Sequence, residues 1–292
     1  MHNVAPPNSL GELMERPKDP PKSLDDGIAR ITAACGIQPP SPRHGDWVSV
    51  PRDRNVLLTL GAKPAPITIR SAETAIIVVD MQNDFGSKGG MFDRAGIDIS
   101  PIRRAAAVIM RVLAAGRRVG INIVYLKMGF RPDLSDLGIP DSPNWRGHQG
   151  LDVGATLRAP NGTESRILVR DTWNTEILSE LQPEPSDTVI YKNRFSGFYG
   201  TELDKKLKGL GVRYLICTGC TTSVCVESTI RDAMFRDYSP VVLADCTCEP
   251  VGSGLSRTNH EASLLLIESL FGWVSSSEEF IKAVELDNIG KP

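Results

Sequence analysis

The chain has 292 residues, of which 41% are hydrophobic and 23% charged, and its formal net charge is −2. This balance gives no broad electrostatic attraction to nucleic acid or to an anionic membrane, and no apolar run reaches the ~18–20 residues of a membrane span. The opening stretch MHNVAPPNSLGELMERPKDPPKSLDD has neither the basic start nor the apolar core of a secretory signal, so a cytoplasmic protein is expected.

Residues 1–65 are rich in proline and read as an extension, with one short helix expected at 23–35 and a strand pair or arm within 44–66. From residue 66 to 292 the pattern is that of one domain. AIIVVD (75–80) is an unbroken apolar run ending in an acid, the signature of a buried parallel strand. PIRRAAAVIMRVLAAGRRVG (101–120) follows as a helix, with Pro near its start and Gly past its end. INIVYLKM (121–128) is a strand. The segment 129–170 is too long for a plain connection and is expected to line a site. A short helix is expected at about 174–181, then the strand TVIYK (188–192), a helix at 201–211 and the strand YLICTG (214–219). SVCVESTIRDAMFRDY (223–238) reads as a helix, PVVLADC (240–246) as a strand, 257–272 as a helix and WVSS (273–276) as an edge strand. Strands alternating with helices predict a doubly wound α/β sheet with helices on both faces.

Ligands of such sheets bind at the carboxyl ends of the strands. Asp80 ends one strand, Lys192 ends another, and Cys225 follows YLICTG at the mouth of a helix. The chain has six cysteines, too few for a disulfide scaffold at this length, so reduced thiols are expected. Cys217, Cys220, Cys246 and Cys248 could in principle hold zinc, but Cys217 lies inside a strand and Cys246 ends one, so packing sets their direction. A redox pair of Cys217 and Cys220 would need its first thiol exposed at a helix start. Cys225 stands instead in a first helical turn preceded by the capping residues Thr221, Thr222 and Ser223. Free N–H groups there, with the Lys192 ammonium nearby, would favour a thiolate and could hold an oxyanion. The competing reading is a small buried hydrophobe, which the company of Asp80 and Lys192 disfavours.

The runs TAIIVVDMQNDF, VIYKNRFSGFYGTELDKKLKGLGVRYLICTGCTTSVCVESTIRDAMFRDY and VVLADCT, in that order, resemble the isochorismatase-like cysteine hydrolases over about 66–280. The resemblance implies a six-stranded parallel sheet and a catalytic triad of Asp80, Lys192 and Cys225. It also implies a cis Cys220–Thr221 bond and an oxyanion hole built from the Thr221 and Cys225 amides. Nicotinamidases of this family carry an Asp-x-His metal motif after the second strand. Here that region reads VYLKMGFRPDLSD and the only histidines are His2, His44, His148 and His260, so neither a metal nor another cofactor is expected. True isochorismatases lack the cysteine that stands here at 225.

Within the family, GSKGGMFDRAGIDIS, SPNW, RFSGFYGTELD, CVESTIRDAMF and FGWVSSSEEF look most like the ureidoacrylate amidohydrolase branch. Biuret and triuret hydrolases share the TTSVCV elbow. The implied activity is cleavage of a C–N bond in a small ureido or carbamoyl compound through a thioester acyl-enzyme. Biuret, triuret or an N-carbamoyl amino acid is the alternative substrate, and a non-catalytic scaffold domain the alternative class. A homodimer or homotetramer is also implied. Gln82, Asn144, Trp145, Arg194, Ser196 and Phe198 are candidates for substrate contact. Several have a structural alternative: a turn for Asn83 beside Gln82, a loop anchor for Asn144 and Trp145, a solvated position or an acidic partner for Arg194, and packing for Phe198. Glu227 is placed to pair with Arg231, its i+4 neighbour.

Overall fold

The computed structural model describes residues 55–289. The helix expected at 23–35 and the first part of the arm, 44–54, lie outside the described residues. In chain order the strands are β1 (Leu57–Leu60), β2 (Ile67–Arg70), β3 (Thr74–Val79), β4 (Asn122–Met128), β5 (Thr156–Arg158), β6 (Glu164–Arg166), β7 (Thr188–Lys192), β8 (Tyr214–Cys220), β9 (Ser239–Cys248) and β10 (Trp273–Ser275). The main helices are α1 (Ser100–Arg118), α2 (Pro143–Gln149), α3 (Leu203–Gly209), α4 (Glu227–Met234), α5 (Asn259–Leu266) and α6 (Ser277–Ile289). Six strands form one parallel sheet in the order β10-β9-β8-β3-β4-β7.

The apolar run of β3 is buried on both sides because its side chains alternate between two cores. Ile76 and Val78 face the core shared with α1, α6 and the β1–β2 hairpin; Ala75, Ile77 and Val79 face the core shared with α3 and α4. Burying each such aliphatic side chain stabilises the fold by roughly 1.5–3 kcal/mol. Helix α1 presents Ile102, Ala105, Ala106, Ile109, Val112 and Leu113 at the spacing of one helical face. Leu58 and Leu60 of β1 are fully buried in the same core as Ile76, so the hairpin straddles the boundary expected at residue 66.

Two expected helices take other forms. At 174–181 there are only the short 3-10 turns Trp173–Thr175 and Ser179–Leu181. The chain between them is held extended, since Asn83 N–H donates to the Glu176 carbonyl at 2.9 Å and Leu178 N–H to that of Met81 at 3.0 Å. Backbone groups committed to another segment cannot close a helix. The helix expected from residue 223 opens as a π-turn, Thr222–Val226, before α4. Within 129–170 the chain forms α2 and the β5–β6 hairpin rather than an open loop.

The turn after β3 is tied to that long segment by one buried acid. Asp84 accepts hydrogen bonds from Met91 N–H (2.9 Å), Leu168 N–H (2.7 Å) and the Asn174 side-chain amide. Burial pushes its carboxyl up to about 7 against these three donors. The folded state therefore keeps a proton that the unfolded chain, with a value of 3.8, releases. Stability from this group is present below about pH 4 and is lost as pH rises through about 7. Asp84→Asn does not titrate. The unfolding free energy of the native chain minus that of Asp84→Asn, from urea curves, should fall across this window; a rise would contradict the assignment.

Gly219 near the end of β8 has φ +111, and a Cβ there would stand 2.0 Å from the Val79 carbonyl oxygen. Only glycine lets β8 approach β3 at this point. Gly219→Ala should cost at least about 2 kcal/mol in urea unfolding.

Candidate active site

Strand order decides which side chains can meet. β4 lies between β3 and β7, so Asp80 and Lys192 start roughly 10 Å apart across two inter-strand spacings. A lysine is long enough to cross that gap over Met128, its register partner on β4. Asp80 makes the last ladder bond of its strand, N–H to the Leu126 carbonyl at 2.9 Å, and then takes φ 53, a left-handed turn that aspartate tolerates. Lys192 Nζ lies 2.7 Å from Asp80 Oδ2, with both side chains almost without solvent contact at 0% and 1% exposure. The ammonium also reaches Met128 Sδ at 3.6 Å and the Arg194 carbonyl at 3.3 Å. Neither oxygen of Asp80 accepts a well-aligned hydrogen bond, so the pair is held by charge and proximity.

Cys225 arrives from the other side of β3, on the turn that follows β8. Its thiol lies against both Asp80 and Lys192 and keeps 7% exposure. The Cys220–Thr221 peptide is cis. Val224 N–H and Val226 N–H both donate to the Thr221 carbonyl at 3.2 Å, the second bond closing the wide π-turn. Behind Cys225, Thr229 Oγ1 donates to the Cys225 carbonyl at 2.7 Å and accepts Gly197 N–H at 3.0 Å.

Burial dominates the electrostatics. It raises the Asp80 carboxyl, with the Lys192 charge and the Cys225 contact opposing. It also raises the Cys225 thiol, opposed by Lys192 and reinforced by Asp80. For Lys192 burial alone works downward, but the charges of Asp80 and Cys225 outweigh it and the ammonium is held upward. The thiolate expected from a helix start beside a lysine is therefore not the resting form. At rest Cys225 is a neutral thiol beside a carboxylate of raised basicity.

The other candidates divide. Gln82 is fully buried, and its amide donates to the Met128 carbonyl (2.9 Å) while accepting Met128 N–H (2.8 Å), so it extends the ladder rather than facing a substrate. Asn83 is likewise spent on the Trp173 carbonyl and the Ser87 hydroxyl. Ser196 is buried, donating to Asp232 at 2.5 Å and accepting Phe198 N–H at 3.1 Å. Phe198 packs against Tyr238 and Arg236 in the core that contains Cys225. Asn144 and Trp145 stand on α2, half-buried, with the Asn144 amide donating to the Leu137 carbonyl at 2.6 Å. Arg194 is half-buried and donates to the backbone carbonyls of Asp136 (3.0 Å) and Asn193 (2.6 Å), with no acidic partner among the described residues.

One neighbour carried no motif. His148 of α2 is buried, with Nδ1 2.6 Å from the Asn144 carbonyl and its ring beside Phe130 and Phe195. Burial lowers it, and the charges of Lys192 and Arg194 add to that after the carbonyl bond opposes it, so it sits neutral beside both cations. Glu227 and Arg231 pair at 2.6 Å as expected. Cys217, Cys220, Cys246 and Cys248 are buried free thiols, and among the described residues no group of three or more His, Cys, Asp or Glu is arranged to hold a metal. A groove of about 590 Å³ beside β7, lined in part by Asp136, Arg170, Tyr191 and Asn193, contains none of the three clustered residues.

The isochorismatase domain matches residues 74–279. The chain is 40% identical to the ureidoacrylate amidohydrolase RutB of Methylorubrum extorquens over 255 residues, 87% of this chain and 96% of that one. It is 40% identical to the protein of the same name from Serratia proteamaculans, over 77% of this chain and 88% of that one. A cysteine hydrolase from Pseudomonas syringae pv. phaseolicola superposes with a TM-score of 0.62 at 29% identity, covering 75% of this chain and 95% of that one. N-carbamoylsarcosine amidase from Thermoplasma acidophilum shares the fold, with a TM-score of 0.52 at 23% identity over 71% of this chain and 98% of that one. From the parallel sheet, the matched domain and these relatives, the chain belongs to the isochorismatase family.

Proposed function

We propose that this family member, a hydrolase of linear amide C–N bonds, is a cysteine amidohydrolase acting on a ureidoacrylate-type compound through Asp80, Lys192 and Cys225. The observation that carries this reading is the buried Lys192–Asp80 pair at 2.7 Å with the Cys225 thiol against both. Asp80 takes the thiol proton as sulfur adds to the carbamoyl carbon. The carbonyl oxygen becomes an oxyanion facing the Thr221 and Cys225 amides. The C–N bond then breaks, and the protonated Asp80 gives its proton to the departing nitrogen. A water deprotonated by Asp80 attacks the thioester and frees the sulfur. Lys192 stays an ammonium throughout and compensates whichever neighbour bears the negative charge.

Substrate choice is supported by charge. Two cations, Lys192 and Arg194, both act on a neutral His148, and among the described residues only Lys192 of the two is paired with an acid, Asp80. Such a site suits a carbamoyl compound that also carries a carboxylate, with Arg194 meeting that group and Asn144 and Trp145 lining the approach. The relatives named ureidoacrylate amidohydrolase point the same way. Biuret lacks the carboxylate.

Ammonia release should be greatest with ureidoacrylate among ureidoacrylate, biuret, triuret, N-carbamoyl amino acids and nicotinamide. Cys225→Ala should lower kcat at least about 10³-fold with the fold intact by circular dichroism; near-native turnover would end the nucleophile assignment. Because the base must be ionised and burial raises Asp80, the acid limb of kcat/KM should lie above the ordinary carboxylate range, activity falling as pH drops through it. Arg194→Ala should raise KM for ureidoacrylate roughly 10-fold or more and leave KM for biuret nearly unchanged. Equal effects on both would remove Arg194 from carboxylate recognition.

A further inference from the structure

Between the cis bond and Cys225 the chain passes through Thr222 and Ser223, and both are gripped from the connection that joins β9 to α5. Ser223 donates twice to one oxygen of Glu249, from its N–H at 3.0 Å and from its hydroxyl at 2.5 Å. The other carboxylate oxygen accepts Val251 N–H at 3.0 Å. Thr222 Oγ1 lies 2.9 Å from Nδ1 of His260, the second residue of α5. Asn259 of the same helix donates to the Val251 carbonyl at 3.1 Å, binding the connection to the helix start.

Glu249 is an unusual occupant of this position. It is 6% exposed, and among the described residues it forms no ion pair. A buried carboxylate without a cation is costly and is kept only if its hydrogen bonds hold it. Its charge also stands near a turn that the proposed reaction asks to stabilise an oxyanion, where a negative neighbour is unfavourable. The compensation is geometric. A π-turn is wider and less regularly bonded than an α-turn, so its residues need external fixing. By taking up Ser223 N–H, Glu249 also removes a helix-start donor from competition and leaves the oxyanion to the Thr221 and Cys225 amides.

We infer that Glu249 is a positioning residue for the nucleophile turn, acting through Ser223 on the Cys225 backbone without touching substrate. This rests on the reading of Cys225 as the nucleophile. The requirement is for an acceptor of the right reach, not for charge, and that separates the idea from a general structural role.

The test compares steady-state kinetics on ureidoacrylate for Glu249→Gln and Glu249→Ala, each shown folded at the assay temperature by circular dichroism. Glu249→Ala should lower kcat at least about 10-fold with KM within about threefold, as a displaced reacting group does. Glu249→Gln keeps the acceptor for Ser223 while giving up the one for Val251 N–H, which lies away from the nucleophile turn, and should hold kcat within about threefold of the native chain. The inference is overturned if the Ala variant keeps native kcat, or if Gln is as impaired as Ala. Alkylation of Cys225 by iodoacetamide, followed by mass spectrometry, should slow in Glu249→Ala in step with kcat and stay within about threefold in Glu249→Gln, as a displaced nucleophile requires; native alkylation beside a lost kcat would overturn the positioning role. Activity surviving in Cys225→Ala would instead dispose of the nucleophile reading itself, a separate outcome.

Discussion

Lys192 and Asp80 stand 2.7 Å apart with essentially no solvent contact, and the surrounding structure is arranged to make that tolerable. Each charge alone would be expensive to bury, and removing either partner would strand the other at a cost of about 3–5 kcal/mol. The pair is thus obligate for the fold as well as useful to the site. It forces β3 and β7 to end level with one another across β4, and Met128 sets that level. Its backbone pairs with Lys192 in the ladder and with Gln82 through a side chain that acts as an extra length of strand.

The third member joins on different terms. Cys225 is carried by a turn rather than a strand, and its sulfur contributes no formal charge at rest. A neutral thiol adds little to the desolvation already borne by the ion pair, so the crevice can hold three reactive groups with no net charge. In the proposed reaction a proton moves over a short distance between sulfur and carboxylate while the ammonium stays fixed. Preorganisation of this kind lowers the barrier without requiring the site to rearrange.

Much of this was legible from residue order. Apolar runs ending in Asp80 and Lys192, and TTSV before Cys225, place three reactive groups at one sheet edge once the sheet is read as doubly wound. What could not be read was the spatial order of the strands, because neighbours such as β3 and β8 are 140 residues apart in bonds like that of the Cys220 thiol to the Asp80 carbonyl. The helix expected at 174–181 failed for a related reason: its backbone groups are claimed by residues 81–83, a long-range demand that overrides local propensity. Gln82 and Ser196 looked like substrate ligands because they sit beside the motif residues, yet burial turns both inward. His148 and Glu249 had no pattern to announce them, since their partners are backbone groups whose positions exist only in the fold. The direction of the Cys225 shift was misjudged because burial, which no sequence window reports, outweighs the nearby cation.

The division of labour that results is between charge and shape. Charge is concentrated in the Lys192–Asp80 pair and, at the rim, in Arg194, whose Nη1 is steadied by two backbone carbonyls and which makes no ion pair among the described residues. Shape is supplied by buried or half-buried groups bonded to the backbone and to neighbouring side chains: Gln82 behind Asp80, Thr229 beneath Cys225, and Glu249 with His260 along the turn. The carbamoyl group of the proposed substrate is small and offers few handles, so its recognition rests on close placement of one oxygen and one nitrogen. Errors of about 1 Å are enough to cost a hundredfold in rate. A site that meets so small a group therefore invests its buried polar residues in holding the backbone still, and this is why so many of them point away from the crevice they serve.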